Sequence, residues 1–158
     1  RDGTNGMVFF SYQGLKKAKS QLNNSGFEYL ANLPPMSWKD DKPPMDPRNL
    51  RAHILSSGNV LLIWSHPDSL VEKGDVQRYN IFRSEQSPVD FQNAENLIHI
   101  TTKADTFYVD RSIQSGRRYH YVVTALDRVN NESPPSNEVS VMIPQFVMAD
   151  SLKIVDSE

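Results

Sequence analysis

The chain has 158 residues, enough for one domain with a hydrophobic core plus an appendage, and its 17 Lys and Arg against 19 Asp and Glu leave a formal charge of −2. With neither sign gathered into a block there is no basic footprint for phosphates, so a nucleic-acid partner is not expected. The absence of cysteine excludes a disulfide scaffold and a thiolate-bound zinc, and no stretch reaches the ~20 apolar residues of a membrane span.

Residues 1 to 6 are polar and begin on Arg1, which suggests a piece of a longer protein rather than a natural start. Met7-Val8-Phe9-Phe10 is a continuous apolar run of the kind found in strands buried on both faces. Leu15, Ala18 and Leu22 follow at helical spacing between lysines, predicting a short amphipathic helix near 14–23. A strand and its helix make half of a βαβ unit, and alone it lacks a parallel partner. Phe27, Leu30 and Leu33 could add one more helical turn, and the apolar surface of residues 7–33 should dock on the sandwich or on a second copy of the chain, where an unpaired strand at 7–10 would suit a homodimer. Prolines 34, 35, 43, 44 and 47 then define a stiff connector, in which Trp38 is expected to anchor the linker onto the next domain.

Beyond Pro47, strands recur every ten or so residues with turn signals between them, the pattern of an all-β sandwich. They are expected at 48–54, 59–65, 77–84, 96–102, 106–109, 118–127 and 138–143. In the second, Val60, Leu62 and Trp64 alternate inward, while Leu61 and Ile63 on the other face call for a cover, for which the N-terminal segment is one candidate. In the third, Tyr79 and Ile81 point inward and Arg78, Asn80 and Phe82 outward. The central strand is RYHYVVTALD, with Tyr119, Tyr121, Val123 and Ala125 on one face, running into Asn130-Asn131-Glu132-Ser133-Pro134-Pro135. Residues 145–158 form a tail with an acidic end.

These residues carry a resemblance. Trp64, Tyr79 with Ile81, Ile113-x-x-Gly116-x-x-Tyr119 and Tyr-x-Tyr-x-Val-x-Ala-x-Asp resemble a fibronectin type III domain over about 44–144, an immunoglobulin-like β-sandwich of about seven strands. The resemblance implies that Tyr119 is a corner tyrosine, with its hydroxyl bonded to backbone a few residues upstream and Ser115 where proline is common. DRVNNESPPS, at 127–136, resembles the form found in such domains of bacterial secreted carbohydrate-active enzymes. Gly6 to Ser11, Leu15 and Leu33-Pro34-Pro35-Met36-Ser37-Trp38 are similar to the end of the glycoside-hydrolase-like (β/α)8 barrel family of bacterial envelope lipoproteins. That implies a barrel remnant and linker at 1–42, a sandwich at 43–144 and a tail at 145–158. Ser11 and Tyr12 would then fall where barrel strands present site residues.

The motifs with a chemical reading also have plainer ones. His53, His66, His99 and His120 lie apart, without metal-ligand spacing. Asp105 and Asp110 could serve glycoside hydrolysis, but turn capping explains them better. Lys73-Gly74-Asp75 reads as a glycine turn before an adhesion motif. Phe82, Phe91 and Phe107 could form a sugar-stacking platform, with Phe82 and Phe91 the candidate contacts and Phe107 among those expected in the core. The expected function is a non-catalytic structural or interaction module, the extracellular or periplasmic C-terminal domain of a glycoside-hydrolase-like protein. It needs no cofactor, and its partners would be its own upstream barrel and, in the alternative role of a glycan-binding accessory, polysaccharide.

Overall fold

A computed structural model of the chain describes residues 29–66, 76–102 and 105–145. The readings at 7–23, Ser11, Tyr12, Lys73-Gly74-Asp75 and most of the tail, and with them the dimer through the N-terminal segment, lie outside the described residues. Among the described residues seven strands are formed: β1 Arg48–Ile54, β2 Val60–Ser65, β3 Arg78–Ser84, β4 Leu97–Ile100, β5 Phe107–Asp110, β6 Arg118–Leu126 and β7 Val139–Met142, with a 3-10 turn at Ala94–Asn96. All pairings are antiparallel, giving a three-stranded sheet in the order β1-β2-β5 and a four-stranded sheet in the order β4-β3-β6-β7. No helix among the described residues is long and apolar enough to cross a membrane.

The alternation read from the sequence fills the space between the sheets. Val60, Leu62 and Trp64 from one sheet meet Tyr79, Ile81, Tyr119, Tyr121, Val123 and Ala125 from the other, closed by Leu50 and Ile143. Trp64 packs edge-on against Tyr79 at 5.3 Å. Burial pushes the Tyr79 hydroxyl up to about 12, and the Trp64 indole offsets part of that rise.

The four-stranded sheet departs from a half-open sandwich because its outer face is also covered. Phe82, Val89, Leu97 and Val122 make a second apolar cluster with Phe91 and Ile100 against it. The expected outward set on β3 is therefore buried in part: Asn80 and Phe82 lie under the 85–96 excursion and the residues after β6. The outer face of the three-stranded sheet is the open one. There Ile63 is 41 % exposed and pairs with Phe107, which is 58 % exposed and not in the core where it was expected; the N-terminal residues expected as a cover for Ile63 lie outside the described residues.

Two devices replace strand pairing where the sequence prevents it. Pro134 and Pro135 cannot donate to a ladder. Ser133 and Ser136 take over alongside β6: their N–H groups donate to the Ala125 and Val123 carbonyls, and their Oγ atoms accept the N–H groups of the same two residues at 2.9 and 3.1 Å. Asn137 pairs likewise with Leu50, accepting its N–H at 2.9 Å and donating to its carbonyl at 3.0 Å, which ties β1 to the approach of β7.

Candidate functional site: a clasp on the incoming linker

The loop after β6 is built around Asp127, which is 1 % exposed. Its Oδ1 accepts the N–H groups of Val129 at 2.8 Å and Asn131 at 2.9 Å, and its Oδ2 accepts Asn131 Nδ2 at 2.9 Å. A carboxylate holding three donors freezes a tight turn. Asn130 takes the left-handed conformation at φ 66°, which asparagine tolerates, and its side chain accepts from Arg78.

This loop grips residues about ninety positions earlier. Asn131 Nδ2 also donates to the carbonyl of Asp40 at 2.9 Å and, more weakly, to that of Lys42 at 3.4 Å. The Met36 N–H donates to the Val129 carbonyl at 2.9 Å, and Arg128 stands 3.5 Å from the Asp40 carboxylate. Pro44 and Pro47 are buried beyond these bonds. The connector is thus docked by its backbone, and the expected anchor is not used: Trp38 is 77 % exposed. A backbone gripped at 36 and 40 forms a turn over 37–39 that carries the indole outward. Leu33 is 66 % exposed, and Tyr29 and Leu30 are exposed as well, so four large apolar side chains face outward within ten residues.

Other polar clusters are structural in their geometry. Asp110 is fully buried, and its Oδ2 binds Arg83 at 2.8 Å and Tyr121 OH at 3.0 Å, while its Oδ1 accepts the N–H and hydroxyl of Ser112. The capping expected of it is present, together with an ion pair between the sheets that the sequence did not announce. Burial first, and then the Asp110 charge, drive the Tyr121 hydroxyl well above its ordinary range. Asp105 is exposed and stands apart from this cluster. Ser87, His120 and Glu138 converge, but Ser87 Oγ donates to Glu138 at 2.7 Å and His120 Nδ1 meets the same oxygen at 2.9 Å. The serine proton is committed to a carboxylate and not to the imidazole, which is the wrong order for an activated nucleophile.

Among the described residues no three His, Cys, Asp or Glu side chains could hold a metal ion. Of the three candidate aromatics, Phe82 and Phe91 come together and Phe107 stands apart. Phe82 is buried beside Phe91, with centroids 6.3 Å apart, and both line a groove of about 400 Å³ with Leu30, Gln92, Leu97 and Glu132. Phe107 belongs to the other sheet.

The model of the family described as "Fibronectin type III domain SaeA third domain" matches residues 54–143. The chain belongs to the fibronectin type III family. The chicken CNTN1 FN1-FN3 domains share this fold with a TM-score of 0.52 at 17 % identity, over 65 % of this chain and 33 % of that one. "Glycosyl hydrolase YngK" of Bacillus subtilis (strain 168) is 27 % identical over 85 % of this chain, and "Amylopullulanase" of Thermoanaerobacter thermohydrosulfuricus 37 % identical over 54 %. This fibronectin type III chain spans 26 % of the first protein and 5 % of the second. The likeness to YngK covers more than the family match and the short stretch after it can supply, so it reaches into the residues that lead into the sandwich. In the fibronectin type III frame Tyr119 is the corner tyrosine, its hydroxyl accepting the Gln114 N–H at 3.1 Å while the Arg83 guanidinium lies 5.0 Å from its ring centre.

Proposed function

We propose that this fibronectin type III domain is a non-catalytic accessory module of a longer, extracellular or periplasmic bacterial protein of the glycoside-hydrolase-like kind, where it seats and orients the domain that precedes it. The clasp supports this reading above all. A proline-rich connector that only spaced two domains would have no need of backbone bonds to the module. Here it is fixed with Leu33 and Trp38 facing outward, a preorganised apolar shelf that a neighbouring domain can bury at little cost in chain entropy. The kinship with YngK, which extends ahead of the sandwich, supports the identity of that neighbour as a glycosidase-like barrel.

Asp105 and Asp110, the carboxylates that could have served glycoside hydrolysis, are not a facing pair: Asp105 is exposed and Asp110 is buried in its ion pair with Arg83. The isolated chain is expected to hydrolyse neither aryl glycosides nor polysaccharides, and turnover that disappears in Asp105→Asn or Asp110→Asn would overturn the non-catalytic reading. The seating role is tested in the longer protein with Leu33→Ser and Trp38→Ser combined. Small-angle scattering should then show a broader spread of domain separations, and an unchanged curve would reject the shelf.

A further inference from the structure

The free edges of the two sheets, β5 and β4, meet on one open side of the sandwich. There the His99 and Tyr108 rings stack with centroids 4.5 Å apart and planes 17° from parallel. Beside them lies a shallow cleft of about 310 Å³, lined by Phe107, Tyr108, His99, Thr101, Asp105 and Arg111. An apolar ring presented to water on an edge strand contributes little to the fold. Among the described residues, Asp105 and Arg111 make no hydrogen bond or ion pair that would occupy them. Thr101 Oγ1 accepts the Tyr79 N–H at 2.8 Å, which leaves its own proton to give.

The charges in the cleft cancel. Asp105 offsets Arg111, and burial holds His99 below its ordinary value of 6.5, so it is neutral at physiological pH. An anionic ligand gains nothing from such a balance. A pyranose ring without a carboxylate matches it, with an apolar C–H face for the Phe107 ring and adjacent hydroxyl pairs for the planar carboxylate and guanidinium. We propose that this cleft is a subsite for a neutral pyranose unit of a polysaccharide. An extended peptide is the less suitable occupant, because β5 offers only four residues of edge.

The proposal shares with the preceding one the reading of the chain as an accessory of a glycoside-hydrolase-like protein, and is independent of the clasp. Isotope-labelled chain is titrated with maltohexaose, cellohexaose and xylohexaose, with oligogalacturonate as the anionic comparison, and followed by NMR. At least one neutral hexaose should shift the ring signals of Phe107, Tyr108 and His99 and the amides of Thr101, Asp105 and Arg111 in a saturable way. Phe107→Ala should weaken that binding by about tenfold, as loss of one stacking partner does, whereas Phe91→Ala on the other sheet should leave it unchanged. No response to any neutral hexaose, shifts centred on Phe91, tighter binding of oligogalacturonate, or unaltered affinity in Phe107→Ala would each overturn it. A failure here alongside a loosened Leu33→Ser/Trp38→Ser protein removes the sugar subsite and keeps the seating role; the opposite pair of results does the reverse.

Discussion

Tyr119 stands near the start of β6, and its ring and hydroxyl have separable roles. The ring lies in the core beneath the Arg83 guanidinium, and the hydroxyl accepts the Gln114 N–H. Tyr119→Phe keeps the ring and the cation above it while leaving one backbone donor without its acceptor, a loss of about 1 kcal/mol. Trp64→Ala instead empties a fully enclosed volume between the sheets and should cost about 3–5 kcal/mol. Urea denaturation of both variants checks this, and equal losses would contradict the division between packing and hydrogen bonding. The burial of both residues was legible because period-two alternation is a local signal, and the corner role of Tyr119 came from the resemblance to fibronectin type III domains. The Arg83–Asp110 pair was not, since its partners are 27 positions apart and only the folded sandwich brings them to 2.8 Å.

At the scale of elements, the excursion 85–96 turns an ordinary sheet face into a second core. It carries Val89 and Phe91 onto Phe82 and Val122, which is why β6 is buried on both sides although only one face alternates in the sequence. Glu138 holds this flap near the approach to β7: burial pushes its carboxyl up, but hydrogen bonds from Ser87, the Val89 N–H and His120 outweigh that and hold it below its ordinary 4.5. A depressed carboxyl stabilises the fold above its unfolded-state value, and that contribution is lost as pH falls through the folded-state value. The wild type should therefore melt above Glu138→Gln at neutral pH, with the gap closing as the pH drops below 4.5. Thermal melts of the two across that range test it, and parallel profiles would show that Glu138 does not hold the flap as a carboxylate. Polar residues and a proline at 85–95 announce a loop, and nothing in that composition tells which face it will cover.

For the molecule as a whole, the question is whether residues 36–42 belong to the sandwich or merely lead into it. From the sequence, the prolines marked a connector and DRVNNESPPS a strand end, but a side-chain amide that binds a carbonyl 91 positions away leaves no local trace, and the eye falls on Trp38 instead. The bonds make the connector part of the module, and its opening should be a measurable equilibrium. Lys39 lies within the gripped turn and supplies a tryptic site. Met36→Pro removes the donor to Val129 without touching the Asp127 loop, so cleavage after Lys39 should rise by roughly fivefold, the factor that about 1 kcal/mol of lost hydrogen bonding gives when opening precedes cutting. Asn131→Ala should raise it further, because it also releases Asp40 and unstaples the loop. Arg128→Ala should change little, since that ion pair is long and its arginine largely exposed. Equal cleavage in all four proteins would mean that the linker is not held by these bonds, and the shelf formed by Leu33 and Trp38 would lose its fixed position.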